Sequence, residues 1–160
     1  GLLDPVPSLS LSGEKVQLFT YLQHYWSLFN SLDLCIFTFE PVRTFKVNHL
    51  VEITKAVTGW DTSLLELMKA GERATTLTRC FNIKHGLTPE NDTLPDRLFE
   101  GLHGGPLKDT KLDKTEFEKS VRLYYEMMGW DPETGIPTEG KLYELGIGWT
   151  IEEIKALQTV

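Results

Sequence analysis

A chain of 160 residues is long enough for one domain that buries about two-thirds of its unfolded surface in a single core. With 41% hydrophobic and 24% charged residues it has the composition of an ordinary globular protein, and no apolar stretch is long enough to span a membrane. A net charge of -7, without a stripe of lysine and arginine, excludes nucleic acid as an expected partner.

The first predicted helix follows a short lead-in. Residues 1–12 contain two prolines and three serines and are predicted to form an extended connection. From Glu14 to Leu32 apolar residues recur at helical spacing, which predicts a helix that ends near Asp33. His24 is predicted to lie off its apolar face, which comprises Leu18, Leu22, Tyr25, Trp26, Phe29 and Leu32. Residues 36–39 have no second strand pattern to pair with, so we expect an extended loop there.

Capping residues bound the next two helices. A helix over about 46–57 is predicted to stop at Gly59, where a left-handed cap fits. Ser63 and Glu66 match a capping box that opens a long helix. Gly71 lies inside this long helix, where glycine costs about 1 kcal/mol relative to alanine. We therefore expect a neighbouring helix to approach closely at Gly71.

Loops and shorter helices alternate in the rest of the chain. Residues 83–111 are rich in glycine and proline and are predicted to wrap around the helices as loops. A capping box that starts at Asp113 opens a helix that is predicted to end at Gly129. Short helices are expected at 138–145 and from Thr150 onward. Because the sequence lacks two strand patterns that could pair, we expect the fold to be built from helices.

The predicted fold class is all-α, an irregular multi-helix domain with long loops and no significant sheet. We expect residues 1–12 to be a lead-in or linker and residues 13–160 to be a single helical domain. The chain begins with Gly1 rather than methionine, and we expect it to be a fragment of a larger protein.

Two cysteines, Cys35 and Cys80, limit the metal chemistry. They are too few for a disulfide framework and the N-terminus is unlike a signal peptide, so a reducing cytoplasm is the expected location. Cys80 lies within the predicted long helix and is expected to be a buried core residue. Cys35 lies just past the first helix and could bind metal, but this chain cannot supply four thiolates to a cluster or a zinc site. If Cys35 is a ligand, the other ligands lie elsewhere.

Other catalytic signatures are weak or absent. The four histidines are scattered, and Glu100 with His103 matches a di-iron pair only formally because it lies among glycines. There is no phosphate-binding glycine loop and no nucleophile motif. Solvation and helix dipoles explain the carboxylates predicted on helix exteriors or first turns, which are Glu116, Glu118, Glu126, Glu152 and Glu153.

A series of short blocks, taken together and in this order, is specific. The blocks are Gly59-Trp60-Asp61, Gly71-Glu72-Arg73, Arg79-Cys80-Phe81-Asn82, residues 92–97, Tyr125, Gly129-Trp130-Asp131 and residues 134–138. With them the chain resembles, from about residue 14 onward, the C-terminal helical part of the tungsten-containing aldehyde ferredoxin oxidoreductases.

The resemblance implies a cofactor role for the segment after the first helix. In that family an Asp-x-x-Gly-Leu-Cys segment reaches a tungsten-bound pterin, and its cysteine is the fourth ligand of a four-iron cluster. The matching residues are Asn30, Asp33, Leu34 and Cys35, so Cys35 is the implied metal ligand and the other three are the implied pterin-binding residues. Asn30 replaces the family's aspartate and retains hydrogen-bonding groups. Asp33 replaces a glycine, which permits positive φ, and adds a negative charge beside an anionic cluster.

The implied reaction converts an aldehyde and water to a carboxylate and passes two electrons through the cluster to ferredoxin. The resemblance implies a tungsten-bis-pterin and one 4Fe-4S cluster in the full-length protein, with no cofactor retained by this fragment and no catalytic residue in it. The implied partners are the missing N-terminal and middle domains, ferredoxin and a small aldehyde. No membrane partner is implied, and homodimer formation is left open. The domain would also wall a substrate channel.

Two alternatives remain open. In the first, the chain is a cofactor-free helical scaffold or interaction domain derived from this family, which the departures at Asn30 and Asp33 favour. In the second, it is an independent helical module with Cys35 in its core.

Overall fold

Six α-helices account for most of the structure. The computed structural model describes residues 4–38, 45–101 and 103–158. The helices are α1 (Gly13–Ser31), α2 (Val47–Thr58), α3 (Leu64–Lys84), α4 (Lys114–Met128), α5 (Glu139–Glu144) and α6 (Thr150–Gln158). Within these residues there is no strand, and an isolated bridge joins Trp130 to Pro137. The predicted all-α fold class is confirmed, and so are the short helices expected near 138–145 and from Thr150.

The helix boundaries lie where the capping residues placed them. Gly59 and Gly129 follow α2 and α4 with φ of 73° and 70°, the left-handed conformation that glycine adopts without steric cost. At the start of α3 the Glu66 amide donates to Ser63 Oγ at 3.3 Å, and the Ser63 amide donates to Glu66 Oε2 at 2.8 Å. At the start of α4 the Glu116 amide donates to Asp113 Oδ1 at 2.9 Å. These hydrogen bonds satisfy helix-terminal amides and join residues only three positions apart. Because they are local, the helix ends could be located from the sequence alone.

The segment between α3 and α4 is irregular, as predicted. It contains two short 3-10 turns, Pro89–Asn91 and Asp96–Leu98. The amide of Leu112 donates to the carbonyl of Leu98 at 3.0 Å, which closes the loop just before α4. In the described part of the chain, no helix is both long and apolar enough to cross a bilayer.

The pair α1 and α3 forms the centre of the fold, with α4 against α1, and α2 and α6 against α3. The closest approach is at Gly71, where an added Cβ would lie 2.0 Å from the carbonyl oxygen of His24 and 3.0 Å from the amide nitrogen of Leu28. Only hydrogen in place of a side chain allows this spacing, which confirms the expected close approach at Gly71. The apolar cluster beside this crossing consists of Tyr25, Leu28, Phe29, Leu50 and Leu67.

A second apolar cluster joins α3 to the C-terminal helices. Cys80 is 4% exposed and packs there, so the expectation that it is a core residue is confirmed. Burial raises the pKa of its thiol. Its partners in the cluster are Leu142, Leu145, Ile147, Ile151 and Ile154. The chain therefore uses one of its two cysteines for packing.

Two predictions about the first helix and its exit were wrong. His24 is buried, because α1 is covered by α3 on one side and by α4 on another, and its Nε2 lies 3.1 Å from Met128 Sδ. The segment Ile36–Thr38 forms a 3-10 turn and not an extended loop, since the Thr38 amide donates to the Cys35 carbonyl at 3.1 Å. Residue 39 of the predicted loop lies outside the described residues.

Candidate functional site

The exit of α1 carries the residues that the sequence marked for cofactor binding. The Leu34 amide donates to the Phe29 carbonyl at 3.0 Å, and the Asp33 amide donates to the Asn30 carbonyl at 3.5 Å. Asp33 has φ of 53°, in the left-handed region. This is the Schellman pattern, in which a left-handed residue reverses the chain and two amides satisfy the last carbonyls of the helix.

The reversal directs one of the four predicted side chains inward and leaves the other three exposed. Leu34 is half-buried and packs against the cluster that contains Phe29. Asn30, Asp33 and Cys35 are exposed. The structure therefore brings three polar or thiol side chains to one end of α1 and turns the fourth residue into the core. The alternative that placed Cys35 in the core of an independent module is wrong, because the thiol is exposed.

The main chain at Cys35 is held in place by the turn that follows it. The amide and the hydroxyl of Thr38 both donate to the Cys35 carbonyl, at 3.1 Å and 2.7 Å. An exposed thiol on a fixed turn can donate its sulfur to a metal held outside this domain. Within the described ranges no group of three or more His, Cys, Asp or Glu side chains could hold a metal ion. Of the four thiolates that usually hold an iron-sulfur cluster, Cys35 can supply one.

Asp33 differs from the residues at the equivalent positions of three other helix exits. After α3, α4 and α5 the left-handed residues are Gly86, Gly129 and Gly146, with φ of 89°, 70° and 69°. At each of these exits the next amide donates back to a carbonyl in the last turn of the helix, as Leu34 does. Among the described residues Asp33 is the only non-glycine with positive φ. In the described ranges, the one non-glycine position of this kind therefore lies two positions before the exposed cysteine.

A large groove lies beside the helix pair α1 and α3. It encloses about 1190 Å³ between α1 and α3, with contributions from α4 and α5. Its walls are mainly apolar and include Leu18, Tyr21, Tyr25, Leu64, Met68 and Met127. Its buried ionisable residues are His24 and Glu72, at 8% and 6% exposed, and Thr20 is a third buried polar residue in its wall. Sequence reasoning missed this pair because it placed His24 off the apolar face.

The charges in the groove are paired. Glu72 accepts hydrogen bonds from Lys69 Nζ at 2.7 Å and from Lys141 Nζ at 2.8 Å, and Glu144 accepts from both lysines. Burial alone would raise the pKa of Glu72, but the two lysines outweigh it and hold the pKa below its usual value. The lysines lower the pKa of Glu144 to about 2. Burial lowers the pKa of His24, against the opposing effect of the Glu72 charge.

A second buried network explains several of the sequence blocks. Arg79 is 6% exposed, and its Nε donates to the Gly135 carbonyl at 3.0 Å while Nη1 donates to Asp92 Oδ2 at 2.6 Å. The Tyr125 hydroxyl donates to the same carboxylate oxygen. Burial, followed by this hydrogen bond, raises the pKa of Tyr125 to about 12. The Arg79 guanidinium also lies 5.3 Å from the ring centroid of Trp130.

These contacts give the blocks a structural role. The hydrogen bonds of Arg79 connect α3 to the following loop, to α4 and to the turn after α4. The spacing of the blocks along the chain offered no signal for this arrangement, because the partners of Arg79 lie 13, 46 and 56 positions away from it.

Comparison with known proteins identifies related sequences over most of the chain. Residues 1–147 match the family described as aldehyde ferredoxin oxidoreductase, domains 2 and 3. The chain is 36% identical over 141 residues to a tungsten-containing aldehyde ferredoxin oxidoreductase of Pyrococcus abyssi, an alignment that covers 86% of this chain and 22% of that protein. It is 28% identical over 159 residues to the WOR-like subunit of an aliphatic sulfonate oxidoreductase of Pyrococcus furiosus, covering 96% of this chain and 23% of that subunit.

A solved structure shares the fold. The active-site complex BamBC of benzoyl coenzyme A reductase, solved with 1,5-dienoyl-CoA, superimposes with a TM-score of 0.74 at 18% sequence identity. The likeness covers 97% of this chain and 22% of that one. The chain spans about a fifth of the length of the relatives it matches.

Proposed function

Because the chain belongs to the aldehyde ferredoxin oxidoreductase family, we propose that it forms the C-terminal part of a longer enzyme that oxidises aldehydes to carboxylates. In that enzyme a tungsten-bis-pterin and one 4Fe-4S cluster would supply the oxidation of the aldehyde and the transfer of two electrons to ferredoxin. Residues 13–160 would act as one helical domain, connected through residues 1–12 to the rest of a cytoplasmic protein. This part of the chain would contribute ligands and walls, and no acid or base acting on the substrate.

Cys35 would donate one thiolate to the cluster, with the other three ligands coming from the rest of the protein. The observation that carries this role is the exposed thiol on a turn fixed by Thr38. A buried cysteine such as Cys80 is shielded from any group outside the domain, whereas Cys35 is open to one. Four cysteine thiolates are the usual ligand set of such a cluster.

Asn30, Asp33 and Leu34 would lie along the edge of the pterin. The exposed Asn30 amide can both donate and accept hydrogen bonds, which suits the mixed donors and acceptors of a pterin ring. Leu34 would contribute mainly by anchoring the segment, because its side chain packs against the core cluster. The helix exit thus would hold the cofactor-facing residues at a fixed distance from the domain core.

The groove between α1 and α3 would form one wall of the path that a small aldehyde follows to the pterin. Its mainly apolar lining suits a small organic substrate, and its open side requires a second wall from another part of the protein. The charges of Glu72 and Glu144 balance those of Lys69 and Lys141, so the cluster presents no net charge to a neutral aldehyde.

The test is metal and cluster analysis of the full-length protein purified without oxygen. The native protein should hold tungsten and about four irons per chain, and Cys35→Ser should lose or alter the cluster spectrum. Cys80→Ser is the matched control, since Cys80 lies in the core and should leave the spectrum unchanged. A full-length protein without tungsten or iron would contradict the proposal and favour the alternative of a cofactor-free helical scaffold.

A further inference from the structure

Asp33 occupies a conformation that glycine occupies at the three comparable helix exits. Its φ of 53° is the only positive value among non-glycine residues in the part of the chain that the structure describes. Residues held in sparsely populated backbone regions persist where the surrounding structure imposes them, and they cluster at functional sites. The hydrogen bonds of the Asn30 carbonyl and the Leu34 amide impose this conformation. A glycine would satisfy them equally well, so the backbone alone does not account for an aspartate.

What an aspartate adds at this position is a charge. Asp33 is the only Asp, Glu, Lys or Arg in the stretch from Tyr25 to Thr38. Its side chain is exposed, and among the described residues it forms no ion pair that would neutralise it. Only Leu34 lies between it and Cys35, so the two Cα atoms are at most about 7 Å apart. The carboxylate therefore lies in the immediate surroundings of the exposed thiol.

We propose that the Asp33 carboxylate lowers the reduction potential of the iron-sulfur cluster bound through Cys35, an inference that rests on the function proposed above. Net charge around a cluster is one of the factors that set its potential, together with hydrogen bonds to its sulfurs and its exposure to solvent. A fixed negative charge disfavours the reduced state, which carries one more electron than the oxidised state. Asp33 thus makes the reduced cluster a stronger electron donor to its acceptor.

The test is a redox titration of the cluster in the anaerobically purified full-length protein, followed by electron paramagnetic resonance. Asp33→Asn removes the charge and keeps a residue that tolerates the left-handed region. Asp33→Gly removes the charge and relieves the backbone, and Asp33→Glu keeps the charge on a longer side chain. Both neutral variants should raise the ratio of reduced to oxidised cluster at a fixed potential by about fivefold. Coulomb's law gives this factor for two unit charges about 8 Å apart in a partly hydrated site with an effective dielectric constant of about 40. Asp33→Glu should stay close to the native ratio.

Glu118→Gln is the matched control for the loss of one negative charge. Glu118 lies two residues before Ser120, whose hydroxyl donates to the Leu11 carbonyl beside the opposite end of α1. A helix of 19 residues is about 28 Å long, several times the screening length of about 8 Å at physiological ionic strength. The control should therefore leave the potential unchanged.

The outcomes distinguish an effect of the Asp33 charge on the potential from an effect of its backbone conformation. A native potential in Asp33→Asn combined with a shifted potential in Asp33→Gly would assign the effect to the backbone and overturn the proposal. Native potentials in both neutral variants would overturn it as well. An intact cluster in these variants shows that the proposed function stands whether or not the potential moves. A full-length protein without iron would remove the proposed function and this inference together.

Discussion

Replacing Gly71 by alanine tests the packing that defines the fold. The new methyl carbon would lie 2.0 Å from the His24 carbonyl oxygen, and 3.0 Å from both the His24 carbonyl carbon and the Leu28 amide nitrogen. All three atoms belong to the backbone of α1, so no side-chain rotation can remove the clash. The helices α1 and α3 must separate by about 1.4 Å to bring this contact from 2.0 Å to the ordinary 3.4 Å. A gap of about 1 Å already forfeits up to half of each affected dispersion contact.

The expected magnitude is a net loss of about 2 kcal/mol in the free energy of unfolding. Overpacking of a close contact costs about 3 kcal/mol at the upper end of the usual range, and the better helix propensity of alanine returns about 1 kcal/mol. For a domain of this size such a loss lowers the melting temperature by about 4 to 8 °C. Urea unfolding of the purified chain, followed by circular dichroism and tryptophan fluorescence, would measure it.

Gly140→Ala provides the matched control. Gly140 lies inside α5, and an added Cβ would meet no atom within 4 Å. The same chemical change should there stabilise the chain by up to about 1 kcal/mol, because only helix propensity acts. If Gly71→Ala were as stable as the native chain while Gly140→Ala behaved as expected, the close approach of α1 and α3 would be refuted.

Three further changes probe the helix exit, the groove and the buried arginine. In urea unfolding, Asp33→Gly should stabilise the chain by about 0.5 kcal/mol. The reverse change at the matched exit, Gly86→Asp, should destabilise it by about 1 kcal/mol. If both variants changed the free energy of unfolding equally and in the same direction, the strain at Asp33 would be contradicted. Burial lowers the pKa of His24 from 6.5, so the unfolded state binds more protons below that pH and the free energy of unfolding should fall as the pH drops from 7 to 5. His24→Gln should flatten that part of the pH profile, and an unchanged profile would show that His24 is not the group responsible. Arg79→Met should cost about 3 kcal/mol, because the Asp92 carboxylate loses its cationic partner and keeps only the Tyr125 hydroxyl. Adding Asp92→Asn should recover part of the loss in the same assay, and no recovery would assign the cost to packing of the arginine.

The helices and their ends could be predicted from the sequence because their determinants are local. A capping hydrogen bond joins residues three positions apart, as between Ser63 and Glu66, and a left-handed cap needs only a glycine at the right place, as at Gly59 and Gly129. The order of short blocks similarly indicated the family and selected the segment from Asn30 to Cys35, since such blocks can be compared without knowledge of the fold.

The burial of His24 could not be predicted in this way. A helical period identifies one apolar face, whereas α1 is covered by two neighbours, and the second of them brings Met128 against the histidine. The partners of Arg79 raised the same difficulty, because its hydrogen bonds reach residues up to 56 positions away.

The sequence by itself determined the helices, their caps and the position of Cys35 just after α1, since these depend on residues within one or two turns of each other. Only the tertiary structure decided that Leu34 turns into the core while Cys35 stays exposed, and that Asp33 adopts the left-handed conformation between them. The physical reason is that the core cluster of Phe29 and Leu50 supplies the surface against which Leu34 packs. That packing fixes the direction in which the next residue leaves the domain.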